Sequence, residues 1–111
     1  MMLYKVKAKM REGKMEAFFT ALTDGSIANQ EPDGPTIVDA MQKALIIDDE
    51  TLSWYEICHC DTPLAHERKT VYDTYLYNIT TTLVYKVQAD IVGKSFWDYL
   101  ESTYYDETYS Y

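Results

Sequence analysis

Along residues 3–10 apolar and charged positions take turns: Tyr4, Val6, Ala8 and Met10 fall on one side, Lys5, Lys7 and Lys9 on the other. A period of two predicts a strand with one buried face. Arg11-Glu12-Gly13 breaks the alternation. From Gly13 the spacing becomes helical, with Met15, Phe18, Phe19 and Leu22 on one stripe. Asp24-Gly25 closes that helix, glycine being common just past a helix end. Residues 24–36, with Gly25, Pro32, Gly34 and Pro35 and few apolar positions, predict a surface loop. A second short helix carries Ile37, Met41 and Leu45, and Thr36 with Asp39 resembles a capping box at its start.

Leu45-Ile46-Ile47, the acidic turn Asp48-Asp49-Glu50-Thr51, and the run Leu52–Cys60 predict a hairpin. Thr62 can cap the next helix and Pro63 suits its first position. Leu64, Val71, Tyr72, Tyr75 and Leu76 form that helix's apolar stripe. Alternation returns from Thr80, with Leu83, Tyr85, Val87, Ala89 and Ile91 facing one way and Gly93 ending the strand. Ser95, with Asp98 three residues on, starts a last helix bearing Phe96, Trp97, Leu100 and Tyr104.

The order is β-α-(α)-β-β-α-β-α. It predicts an α+β, ferredoxin-like βαββαβ sandwich with an extra helix after the first and a C-terminal helix. Residues 1–103 form the single domain, and 104–111 are an acidic, tyrosine-rich tail. Helices on one face leave the other face of the sheet, with its lysines, to be explained. Either it is solvated, or two sheets pack face to face in a homodimer. In the second case Glu56 and Asp90 are the partners for the lysines, because a buried unpaired charge is costly. Which face of residues 52–60 meets the helices stays open, and Trp54 and His59 lie on opposite ones.

Composition narrows the function classes. A chain of 111 residues has room for one domain, and 47% hydrophobic with 25% charged residues is globular composition. The net charge of −8 disfavours nucleic acid and anionic membranes as partners. No apolar run approaches the roughly 18–20 residues of a membrane span. Lysines interrupt the N-terminal segment, which argues against a secretory leader and for a cytoplasmic protein. Cys58 and Cys60 share one face of a strand that aims His59 away from both, so no metal site is expected and no cofactor is called for. A sharp-turn serine motif and a glycine-rich phosphate loop are both missing.

The first strand, Arg11-Glu12-Gly13-Lys14, and Phe18 and Leu22 on the helix that follows resemble the opening of the dimeric α/β-barrel superfamily. Within it the chain is most similar to the antibiotic-biosynthesis-monooxygenase-like domains. Leu52–Cys60 followed by Asp61-Thr62-Pro63-Leu64-Ala65-His66-Glu67 resembles that group's third strand and second helix. The resemblance covers residues 3–76. It implies a homodimer whose sheets close into a barrel, with a ligand pocket between sheet and helices. Two features depart from the group. Cys58-His59-Cys60 stands where a tryptophan commonly ends the third strand, and the loop after the first helix is long. No catalytic residue is carried over.

A pocket of this kind needs a proton carrier and polar donors at its wall. His59 is the candidate acid or base, since histidine titrates near neutrality. Phe18, Phe19, Trp54, Tyr72 and Tyr75 are the candidate lining, and the tyrosine hydroxyls favour an amphipathic, fatty-acid-like ligand. Three readings follow: a homodimeric binder of an apolar or amphipathic small molecule, a cofactor-independent monooxygenase or isomerase, and a structural or interaction protein without a pocket.

Overall fold

The computed structural model describes residues 2–59 and 61–105. Strand β1 (Met2–Met10) lies between β3 (Thr51–Cys58) and β4 (Leu76–Val84), antiparallel to both. Strand β2 (Leu45–Asp48) pairs with β3 on one side and with the two-residue β5 (Lys94–Ser95) on the other. The sheet order is β4-β1-β3-β2-β5. Four helices accompany it: α1 (Met15–Thr23), α2 (Gly34–Lys43), α3 over 65–75 and α4 over 96–105. The result is an α+β fold built on one open antiparallel sheet, and it is compatible with a ferredoxin-like arrangement.

One face of the sheet is apolar and packed. Tyr4, Val6 and Ala8 stand opposite Glu56, Trp54 and Leu52 across the β1–β3 ladder, and all six are buried. Phe18 and Leu22 of α1, Ile37 and Met41 of α2, Val71 and Tyr72 of α3, and Phe96 and Leu100 of α4 close over them. Each large apolar side chain removed from water in this layer contributes about 1.5–3 kcal/mol before entropy is counted. Gly13 (φ +78°) and Gly25 (φ +92°) supply the left-handed turns before and after α1.

The helix starts differ from the expected caps. Helix α2 begins at Gly34, so Thr36 lies inside its first turn, and the Asp33 side chain makes no capping bond. Gly34 is needed there because a Cβ would lie 2.1 Å from the Ile27 carbonyl oxygen. Ile27 itself is buried, so the loop expected on the surface is pinned to the core. Helix α3 begins at Ala65 rather than Pro63, after a left-handed Leu64 (φ 55°) whose side chain is fully buried. Its middle, Arg68–Tyr72, is wound as a π-helix. For α4 the expected cap is present: Ser95 Oγ accepts from the Asp98 amide at 3.1 Å.

The last long strand is shifted. It spans Leu76–Val84 rather than 80–91, because Leu76 pairs with Met10 directly after α3. Asn78 (φ 55°) lies beside a register shift that lets the chain turn from helix to ladder. At the other end Val84 meets Leu3, where β1 has nearly run out of residues to pair with. Tyr85 and Val87 are therefore exposed, not on a buried strand face.

Residues 85–93 instead run as a strap from the β4 edge to β5 at the opposite edge, over the lysine-bearing face. Asp90 anchors it, accepting from Lys5 Nζ at 2.7 Å and from the Tyr55 hydroxyl at 2.5 Å. Those two bonds hold the Asp90 carboxyl below its usual range, the Lys5 bond contributing most. Lys9 pairs with Glu50 at 3.1 Å. Glu56, expected among the partners of these lysines, is on the other face of the sheet. The strand that carries it buries its even-numbered positions, and Glu56 follows Leu52 and Trp54 inward. Gly93 does not end a strand but precedes β5, where a Cβ would lie 2.2 Å from the Ile46 carbonyl oxygen. Of the tail expected over 104–111, Tyr104 and Tyr105 belong to α4 and the remainder lies outside the described residues, as does Cys60.

Candidate functional site

The alternation of β3 places Trp54, Glu56 and Cys58 under helix α3, and α3 returns Glu67 and Tyr72 towards them. The Trp54 indole Nε1 donates to Glu56 Oε1 at 2.9 Å, and the Tyr72 hydroxyl donates to the same oxygen at 2.5 Å. The two rings are 5.3 Å apart between centroids. Glu56 is 3% exposed and Glu67 1% exposed. Cys58 Sγ lies 3.9 Å from Glu67 Oε1, a weak thiol–carboxylate contact. Glu56 Oε2 is buried and accepts no hydrogen bond.

That oxygen identifies where the proton belongs. Burial drives the Glu56 carboxyl up to about 8, and the neighbouring Glu67 raises it too, while the Tyr72 and Trp54 bonds pull the other way. A carboxyl that keeps its proton at neutral pH needs an acceptor for it. Trp54 and Tyr72 already donate to Oε1, so Oε2 is the oxygen left to carry the proton. Burial likewise pushes the Tyr72 phenol well above its ordinary value, with the Glu56 charge adding to it. The arrangement is a buried carboxyl held by an indole and a phenol, with a second buried glutamate, Glu67, on the helix above the same strand.

The expected lining residues meet, but they meet as packing. Phe18 stacks on Tyr75 at 4.6 Å, and Phe19 lies edge-on to Trp97 at 6.0 Å. Phe18, Phe19, Trp54 and Tyr72 are all buried, and Tyr75 is partly so. The grooves described in the structure are lined by other residues. The largest, about 540 Å³, runs between α2 and the end of β3 beyond its pairing with β2. Leu3, Ala40, Ile57 and Val87 give it apolar walls, and Thr36, Tyr55, Lys43 and His59 give it polar groups. Glu56 also lines it.

His59 follows the end of β3 and is exposed, and it lines this groove, as Trp54 and Tyr72 do not. His66 is partly exposed and contacts Asp33 through Nδ1, tying the start of α3 to the start of α2. Among the described residues no three histidine, cysteine or acidic side chains converge as metal ligands. None of the helices found there is long and apolar enough to cross a membrane. The sequence reading missed the Glu56–Glu67 pair. The available signal was the parity of β3, which puts a glutamate between Trp54 and Cys58 on an otherwise apolar stripe.

Comparison of the chain with protein-family profiles, with curated proteins and with solved structures gives no match.

Proposed function

We propose that this chain binds an amphipathic, carboxylate-headed small molecule in the groove between α2 and β3. The observation that carries the reading is the groove itself. Its volume of about 540 Å³ suits a small ligand. Leu3, Ala40, Ile57 and Val87 offer contact to an aliphatic tail, and Lys43 and His59 offer donors to the head. Lys43 is exposed and paired with Asp39 at 3.1 Å, so a ligand head would take over an existing bond rather than desolvate a new charge. The overall negative charge does not forbid an anionic head, because screening confines charge effects to within about 8 Å at physiological salt.

A ferredoxin-like fold is the architecture proposed with it. The order β4-β1-β3-β2, with the first strand between the last long strand and the third, supports that reading. The barrel-forming homodimer implied by the family resemblance would need the open sheet face, and the strap over 85–93 lies across it. The binding reading is therefore made for the single chain.

The test is thermal unfolding with medium-chain fatty acids, the matching alcohols and the matching alkanes. A ligand at a hundred times its Kd adds about 2.7 kcal/mol, which moves the midpoint by several degrees in a domain this size. The fatty acids should stabilise most, and Ile57→Glu or Val87→Glu, both at exposed positions, should abolish the shift without unfolding the protein. No stabilisation by any member of the panel sinks the proposal and favours the structural, pocketless reading. A second reading, a cofactor-independent monooxygenase or isomerase with His59 as acid or base, is favoured by His59 and Glu56 lining the same groove. It requires turnover of a phenolic or lactone substrate that collapses in His59→Ala.

A further inference from the structure

The two edges of the sheet are finished differently. Beyond β2 the sheet ends in β5, which is two residues long, carries Lys94 and runs straight into α4. An edge that short and charged gives an incoming strand little to pair with. The other edge is β4, which pairs only with β1, so among the described residues no strand meets its outer row of amides and carbonyls. Neither a charge nor a proline guards it: every residue from Thr74 to Tyr85 is uncharged, the longest such run in the chain. Its one irregularity, at Asn78, lies near its start and leaves 79–84 regular. Ile79, Thr80, Thr81, Thr82 and Val84 are β-branched and suit a paired strand. Leu83 is 52% exposed and Tyr85 wholly so, which sets apolar groups in water at this edge.

We propose that two copies of this chain pair antiparallel through their β4 edges, about a twofold axis at Thr81, to form one continuous sheet. The order of residues along the strand selects this occupant. Tyr77, Ile79 and Thr80 on one side of Thr81 mirror Tyr85, Leu83 and Thr82 on the other. An axis normal to the sheet therefore sets Ile79 opposite Leu83 and Thr80 opposite Thr82, with a tyrosine at each end. It also keeps the two faces in register. Thr81 and Leu83 align with Val6 and Tyr4 on the helix-covered face, and Ile79 packs against the same core. Thr80 and Thr82 align with Lys7 and Lys5 on the other face. Charge favours this edge too. Two copies at −8 repel each other, and β4 is the stretch along which they meet without bringing like charges together. Behind it on β1, Lys5 and Lys9 are paired with Asp90 and Glu50. Such an interface is isologous and closes on itself, and the blunt β5 edges stop growth at two. It leaves the strap over 85–93 in place and the groove beyond β1 open, so it stands apart from the binding reading. One strand pair buries little area, which makes the complex reversible.

Sedimentation velocity from about 10 μM to about 1 mM covers the range of a weak complex. The mass should rise from 12.9 kDa towards twice that value, with no larger species. Amide hydrogen exchange read by NMR at both ends of the range then locates the contact. Outward-pointing amides of β4 exchange only from the monomer, so once about nine-tenths of the chains are paired they should exchange about tenfold more slowly. Exposed amides elsewhere, such as those of the 48–50 turn, should not change. Thr81→Lys sets two ammonium groups opposite each other at the axis, where paired Cβ atoms lie about 4.5–5.5 Å apart. In the monomer that side chain reaches water from a half-buried edge position. The variant should stay at 12.9 kDa throughout. A wild-type mass fixed at that of one chain overturns the proposal, as does a variant that pairs like the wild type. So does a dimer whose β4 amides do not slow, because its interface lies elsewhere, and so does growth beyond two. The wild-type readings decide the matter even if the variant does not fold.

Discussion

Replacing Glu56 by glutamine should make this protein's stability insensitive to pH where the wild-type protein's is steeply sensitive. In the unfolded chain Glu56 titrates near 4.5, and in the folded chain near 8. Between those values the native state binds a proton that the unfolded state has lost, so stability falls as pH rises. The loss is complete above the folded value and absent below the unfolded one. At about 1.36 kcal/mol per unit the whole window corresponds to roughly 5 kcal/mol. A domain of this size has only about 5–15 kcal/mol in total, so the effect reaches a third of the stability or more. Other shifted groups fall outside the window. Asp24, Asp48 and Asp90 are held below 3.8, while Tyr55, Tyr72 and Tyr104 are raised above 10. Lys5 and Lys9 are raised above 10.5. Urea unfolding at several pH values from 5 to 8.5 gives the free energy directly. The wild-type value should drop by several kcal/mol across that range and the Glu56→Gln value should hold steady. A wild-type stability that stays level, or rises, would refute the reasoning.

Three further substitutions separate the forces at work. Tyr72→Phe removes one of the two donors on Glu56 Oε1; it should cost about 1–3 kcal/mol in urea unfolding and move the Glu56 titration higher, because that bond favours the charged form. Gly93→Ala places a Cβ 2.2 Å from the Ile46 carbonyl; the backbone must shift, at a cost of about 1–3 kcal/mol by calorimetry, with loss of the β2–β5 pairing visible in NMR. Asp90→Asn weakens the Lys5 ion pair that anchors the strap; limited trypsin digestion should then cut at Lys86 several times faster, with the midpoint of global unfolding little changed.

Much of the fold was legible because its signals are local. The alternation over 3–10 and the stripe Met15, Phe18, Phe19, Leu22 report burial directly, and those faces are the buried ones. The last strand was misplaced because an alternating sequence needs a partner as well as a pattern. Tyr85 to Ile91 alternate, yet β1 has no residues left to pair with them, and only the register of β1 with β4 reveals this. The missing caps at Thr36 and Thr62 have a similar cause: Ile27 and Leu64 fix the helix starts by tertiary packing, which outweighs a side-chain cap of about 1 kcal/mol. The acid pair was hidden for another reason. A glutamate in a strand reads as the solvent side, and its burial and its bond from Tyr72 depend on helix α3 crossing that point.

The most direct test is the titration of the Glu56 side chain itself, followed by the NMR shift of its carboxyl carbon in selectively labelled protein. The account predicts a midpoint near 8, with a linked displacement of the Trp54 indole proton. A midpoint in the ordinary carboxylate range, between about 4 and 5, with the protein folded throughout, would contradict it.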